Sequence, residues 1–429
     1  METTLQRIFT ERFARYAHGR KLPLRAQRAA QSIMQCRTAA LGGHLQMCPD
    51  GHISRVQYHS CRHRSCPCCS SLPKVRWAEA QQARLLACDH YHVVFTLPHE
   101  LLDLWSWNRA WFVDALFQAS RDTLMTLLAD DRHLGALPGI VMALHTWGRT
   151  LNRHPHIHCL VTGGGLRDDG EWQSVERGYL LPVRVMKALY KGKLLARLWD
   201  ALKADTLALP KDQSRDAVER LLKVVGKKEW NVRLQERYAH GRGVMRYLSR
   251  YVKGGPISDR RLISADAKET CFRYTDHTDG KHKVMRLSTD QFLGRVLWHV
   301  PEDGQHTIRQ YGLYAHQARP KRALCRAQLG QAVEKEKIEP MEWQAFMKQF
   351  GHTEYAQCPD CGKALVRGPT LERVRNENSI AKECGSGYVQ QGVRLNDPIA
   401  STDFGPPTSN GVPLFFSAVG RQSTKRWAV

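Results

Sequence analysis

The sequence predicts an α+β protein, and three observations carry the prediction. Strand-like runs rich in apolar and β-branched residues recur at 90–98, 139–147 and around Ile157. Runs with helical spacing of apolar residues stand between and around them. Metal-ligating side chains gather in two places, thiols near residues 36–69 and imidazoles on the central strand segments.

Charge narrows the class of partner. There are 64 Lys plus Arg against 41 Asp plus Glu, a net charge of +23. Such an excess suits a polyanion, either nucleic acid or an anionic membrane surface. No apolar run approaches the ~20 residues of a membrane span. The opening METTLQRIFTERFARYAHGRK has no apolar core of a secretory signal. The expectation is therefore a cytoplasmic protein that binds nucleic acid, with no membrane partner.

The elements follow in order. Residues 1–35 read as helix, with Leu5, Ile8, Phe9, Phe13 and Tyr16 at helical spacing. Of the 13 cysteines, six lie within 36–69, which suggests thiolate metal binding rather than disulfides. Cys66-Pro-Cys-Cys69 is a knuckle that aims two thiolates at one zinc ion. Cys48 and His52, in CPDGH, can complete the site, with Cys61 in reserve and Cys36 more distant. Unligated thiols seldom gather in a polar loop rich in Arg and His. A helix at 77–86 leads to the strand 90–98, where His90 and His92 share a face but rank below the central histidines. Residues 101–128 are helical, with Trp107 and Trp111 read as core packing rather than base-stacking residues.

The central stretch is LHTWGRTLNRHPHIHCLVTGGG, residues 144–165. His156 and His158 share one strand face, because successive side chains alternate. Gly163 to Gly165 are read as the end of that strand. A turn at 149–153 would fold 139–147 back as a hairpin and set His145 opposite the pair. Three convergent imidazoles make a candidate metal site.

Helices at 181–225, interrupted near Pro210, and a short strand at 229–236 precede GRGVMRYLSRYVKGGPI, residues 241–257. A helix there puts Tyr247 and Tyr251 one above the other. Arg242, Arg246, Arg250 and Lys253 line the adjacent face as a DNA-binding ridge. Taken alone, inward-packed tyrosines and solvated arginines would explain this segment equally well. Residues 270–315 alternate between strands and a helix at 289–299. From Lys321 the chain is helical and basic, with a half-site at Cys358-Pro-Asp-Cys361 that His352 could complete, then a Gly/Ser/Asn/Pro-rich, loosely ordered tail from Ser379.

These motifs together resemble the two-tyrosine transposases of the IS91 family of insertion sequences, which are HUH (His-hydrophobe-His) endonucleases. The resemblance runs over about residues 36–315 and rests on HSCRHRSCPCC, HVVFTLPHEL, HPHIH and YLSRYVKGGPIS in that order. HPHIH followed by YxxxY is its specific part. The family has CxxCGH where this chain has CPDGH, one residue shorter, which makes His52 a substitute ligand.

The resemblance implies an HUH endonuclease fold, a central antiparallel sheet flanked by helices, with an N-terminal zinc-binding module and a helical, partly disordered C-terminal region. It implies three segments: 1–86 helical and zinc-binding, 87–320 endonuclease, and 321–429 basic and helical with a flexible tail. It implies catalysis by Tyr247 and Tyr251, Mg²⁺ or Mn²⁺ on His145, His156 and His158, and structural Zn²⁺ drawn from Cys48, His52, Cys61, Cys66 and Cys69. Three imidazoles judged on ligand chemistry alone would suggest zinc. The implied activity is nicking and rejoining single-stranded DNA through a 5′-phosphotyrosine, at hairpin-bearing element ends, in a nucleoid-associated bacterial protein. A plasmid replication initiator or conjugative relaxase shares that chemistry, but the zinc module and the lack of a Walker motif favour a transposase. A zinc hydrolase would need no YxxxY, and a non-catalytic zinc regulator would need no histidine trio.

Overall fold

The computed structural model describes residues 4–211, 213–238, 255–276, 278–334, 339–349 and 356–374. Strands β1 (Gly43–Met47) and β2 (Ser54–Tyr58) form a hairpin. Strands β3 (His90–Thr96), β4 (Leu137–Trp147), β5 (Arg153–Leu166), β6 (Trp172–Ser174) and β7 (Val232–Tyr238) build the central sheet. A second sheet holds β8 (Leu262–Ala265), β9 (Glu269–Thr275) and β10 (His282–Ser288). Then β11 (Ile308–Gly312) returns to the central sheet, whose order is β11-β4-β5-β3-β7 with β6 on β5. Last, β12 (Val366–Leu371) returns to the first hairpin as β12-β1-β2. All these pairings are antiparallel, and β5 sits in mid-sheet as expected.

The helices are α1 (Thr4–Ala17), α2 (Leu24–Gln35), α3 (Ser71–Gln82), α4 (Leu102–Trp107), α5 (Arg109–Leu128), α6 (Val183–Lys203), α7 (Arg215–Lys227), α8 (Thr289–Trp298), α9 (Arg319–Gln328) and α10 (Trp343–Gln349). The helix expected over 1–35 is two, because Gly19 turns at φ 71° and Pro23 blocks continuation. A second break separates α4 from α5 at Asn108. Its amide donates to Leu104 O and Ala208 O and accepts from Ala208 N, so it ties the break to the chain beyond α6. Ser288 and Gln291 close a capping box on α8. Among the described residues, no helix is long and apolar enough to cross a membrane.

Side-chain alternation assigns the two faces of the central sheet. Val93, Phe95, Ile140, Met142, Ile157, Cys159 and Val161 are buried against Phe112, Leu116, Tyr190, Leu194 and Leu222 of α5, α6 and α7. The alternate residues, His156 and His158 among them, face the other way. A second core joins Leu5, Phe9 and Ile33 of α1 and α2 to Phe272, Phe292 and Leu293, with Cys36 and Cys66 in it. The expected divisions at residues 86 and 320 are both crossed: α1 and α2 share that core with β9 and α8, and β12 pairs with β1.

The glycine run does not end β5, which continues to Leu166. It lets neighbours approach: a Cβ on Gly165 would lie 2.6 Å from Leu137 O, and one on Gly164 2.7 Å from Gln173 O. Gly165→Ala should therefore force backbone apart and cost about 1–3 kcal/mol in urea unfolding. Gly192→Ala is the control: a Cβ there meets nothing within 4 Å on α6. It should be neutral or stabilise by up to ~1 kcal/mol.

Candidate functional site

The β4–β5 hairpin turns through residues 148–152, where Gly148 N donates to Asn152 O and Leu151 adopts φ 60°. The turn sets His145 directly across from His156, and Ala143 across from His158. The three imidazoles thus share one face. Ring centroids are 4.0 Å apart for His145–His158, 4.7 Å for His156–His158 and 5.0 Å for His145–His156. One nitrogen from each lies within 4.8 Å of the others, and all three residues are buried.

Burial keeps these rings neutral. It holds His145 and His158 well below the ordinary 6.5, with neighbouring imidazoles adding to the effect, and takes His156 down to about 3. Neutral imidazole is the ligand form, so the donors are ready for an ion at neutral pH.

Hydrogen bonds orient two of the rings. Gln235 Oε1 accepts from His92 Nδ1 at 2.6 Å, and His92 Nε2 then accepts from His158 Nδ1 at 2.7 Å. His156 Nδ1 donates to His154 O at 2.5 Å. Each Nδ1 proton is thereby assigned, which leaves the Nε2 lone pairs of His156 and His158 as the ligand atoms. His145 stacks on Trp147, at 5.9 Å between centroids and 10° between planes. The residue that sequence reasoning undervalued is His92. It stands opposite Leu160, one alternation along from Val94, which pairs with His158. Its i, i+2 spacing with His90 was the available signal, but His90 bonds Tyr314 Oη and Cys88 O and plays a structural part.

The thiol cluster differs from the expected set. Cys36, Cys61, Cys66 and Cys69 place their sulfurs within 4.8 Å of one another, with Cys36–Cys69 at 3.4 Å and Cys61–Cys69 at 3.6 Å. The end of α2 delivers Cys36, and a 3-10 turn over Pro67–Cys69 presents the knuckle. Four thiolates on a zinc ion at ~2.3 Å would sit about 3.8 Å apart. Hydrogen bonds from Cys36 and Cys61 hold the Cys69 thiol below its usual range, while bonding to the same neighbours pushes Cys66 up. Thiols this close ionise together only around a cation.

Cys48 and His52, expected in this cluster, are elsewhere. They stand at the closed end of the β1–β2 hairpin, whereas Cys36 and Cys61 flank its open end. A five-residue strand separates the two groups by about 16 Å. Cys36, ranked as distant, takes the fourth place, and Cys48 and His52 instead meet Cys358 and Cys361. Tyr247, Tyr251, Arg242, Arg246, Arg250, Lys253, His352 and the tail from Ser379 all lie outside the described residues.

Two family models match: one described as a putative transposase over residues 139–322, the other as a transposase zinc-binding domain over residues 8–97. A putative transposase, y4qJ, of Sinorhizobium fredii is 38% identical over 78% of this chain and 86% of its own. The transposase for insertion sequence element IS801 of Pseudomonas savastanoi pv. phaseolicola is 30% identical over 85% of each chain. Among solved structures, TrwC complexed with a 27-mer DNA comprising the recognition hairpin and the cleavage site aligns over 37% of this chain and 70% of its own. Its identity is 14% and its TM-score 0.21, too low to carry an argument. The zinc-binding match and the four-thiol cluster together support a structural zinc in the N-terminal module.

The His92 relay yields a test. His92→Phe keeps a ring but removes both hydrogen bonds, so it should weaken divalent-ion binding at the histidine cluster about 10–100-fold. Calorimetric titration of Mn²⁺ into parent and variant measures this, and circular dichroism should show both folded alike. Unchanged affinity would make His92 a packing residue only.

Proposed function

This chain belongs to the IS91 family of transposases, and we propose that it cuts and rejoins single DNA strands through a 5′-phosphotyrosine link in rolling-circle-like transposition. The observation that carries the reading is the buried trio of His145, His156 and His158, in a chain that carries Tyr247 and Tyr251 in a basic segment downstream.

The trio fits a divalent ion, Mg²⁺ or Mn²⁺ in this reading: three neutral imidazoles bring a nitrogen each together on one sheet face. When bound there, the ion supplies Lewis-acid polarisation of the scissile phosphate and offsets its charge in the transition state. Tyrosine, with an ordinary pKa of about 10, needs that help. Tyr247 or Tyr251 gives up its hydroxyl proton and attacks phosphorus. The bond to the 3′ oxygen breaks, and that oxygen leaves as a protonated 3′-hydroxyl. The new tyrosine–phosphate bond retains the energy of the old one, so a later 3′-hydroxyl can reverse the step without ATP. A second tyrosine allows a second cut while the first link persists.

Two further observations support the assignment. The described residues flanking the tyrosine segment stand on either side of β5 and β3. Tyr238 ends β7, and Gly255 lines a cleft with Trp147 of β4, whose ring stacks on His145. The net charge of +23 suits a nucleic-acid backbone, and Arg242, Arg246, Arg250 and Lys253 are the residues assigned to hold it. The partners in this reading are single-stranded DNA and hairpins at the element's ends, met at the bacterial nucleoid.

The test uses single-stranded oligonucleotides from the element's ends with Mg²⁺ or Mn²⁺, run on a denaturing gel. The parent should yield a protein–DNA adduct that survives denaturation. Tyr247→Phe and Tyr251→Phe should each bind DNA as the parent does but lose part of the cleavage cycle. The double variant and His156→Ala should form no adduct. Adduct formation by the double variant at the parental rate would overturn the assignment.

A further inference from the structure

The second group of metal-ligating side chains unites the two ends of the described chain. We propose that Cys48, His52, Cys358 and Cys361 bind a second structural zinc ion, one that clips the C-terminal segment onto the N-terminal module. Their ligand atoms all lie within 4.8 Å of one another. Cys48 Sγ is 3.5 Å from His52 Nδ1 and 3.5 Å from Cys361 Sγ, and Cys358 Sγ is 3.9 Å from His52 Nδ1. A tetrahedral ion with bonds of ~2.3 Å to sulfur and ~2.0 Å to nitrogen needs ligand separations of about 3.5–3.8 Å. Three thiolates and an imidazole select zinc over the oxygen-seeking ions.

Both halves are built for the purpose in the same way. Each is a turn that begins Cys-Pro-Asp: CPDGH at 48–52 and CPDCG at 358–362. In the first, Gly51 N donates to Cys48 O at 3.0 Å and Gly51 adopts φ 80°. In the second, Gly362 N donates to Cys358 O at 2.9 Å and Gly362 adopts φ 71°. Left-handed glycines let each turn close tightly enough to present its ligands together. Each knuckle opens with a strand-like bond as well, Cys48 N to Ile53 O and Cys358 N to Lys363 O. Outside the ligands, Lys363 Nζ pairs with Asp50 Oδ1 at 2.8 Å. Antiparallel pairing of β12 with β1, Gly43 opposite Leu371 and Met47 opposite Val366, holds the halves in register.

The consequence is topological. A ligand pair 313 residues apart in sequence closes a loop that contains the whole central sheet. The zinc-binding module is therefore discontinuous, and its second half is the segment 356–374. This holds whether or not the chain nicks DNA.

The experiment counts zinc that survives a chelator wash in the full chain, in a His156→Ala background so that the imidazole cluster does not contribute. The parent background should hold two zinc ions per chain. Cys48→Ser and Cys358→Ser should each remove one, and the two combined should remove no more than either alone. Cys66→Ser should remove the other. In the unmutated chain, stronger chelation with thiol labelling and mass spectrometry should expose Cys48, Cys358 and Cys361 in one step. That measurement stands even if a variant misfolds. Zinc content unchanged by Cys358→Ser, additive loss in the combined variant, or Cys358 and Cys361 labelled while Cys48 stays protected would each overturn the proposal.

Discussion

The pairing of β4 with β5 is the constraint on which the site depends. It puts His145 across from His156. A slip of one residue would turn the imidazoles into the face packed on α5 and α6, and would bring Ile157 and Cys159 out to the site. The register is held from both ends. At one end a five-residue turn closes on Gly148 and Asn152; at the other, glycines 164 and 165 admit β6 and β4 at distances no side chain allows. The apolar face completes the lock against a one-residue slip, which would expose Ile157, Cys159 and Val161 together. Chemistry on the other face is thus a by-product of packing on this one. His92 extends the same logic from β3, where alternation brings it within reach of His158 and lets it fix which nitrogen of that ring carries the proton.

What could be read from the sequence follows the range of the interactions. The hairpin and its three histidines are local, within residues 137–166, and period-two alternation with one turn suffices to assemble them. The helices of the core are likewise legible from spacing. Short polar strands are not: β1, β2 and β12 carry few buried residues, so no alternation marks them. The partition of the cysteines was hidden for the same reason. Without the β1–β2 hairpin, Cys48 looks as near to Cys66 as Cys36 does. With it, they stand at opposite ends of a strand. No local pattern could show that Cys358 and Cys361 complete a site begun at Cys48.

The small sheet β12-β1-β2 has too little apolar surface to stand on burial alone. Two ion clusters at its two ends take that role, since a structural zinc contributes on the order of 10 kcal/mol to a small module. Cys36 and Cys66 also belong to the core formed by α1, α2, β9 and α8, so the first cluster fastens the sheet to the helices as well as folding it. Gly255 passes close to Ser65, just before that cluster's knuckle.

The most direct test of the account is the coordination of an ion at the histidine face. Mn²⁺ bound to the zinc-replete chain can be examined by pulsed electron paramagnetic resonance, which detects directly bound nitrogen. The account predicts coupling to imidazole nitrogens that weakens in each of His145→Ala, His156→Ala and His158→Ala while the zinc content stays constant. Mn²⁺ that does not bind, or that binds without nitrogen coupling, would contradict it.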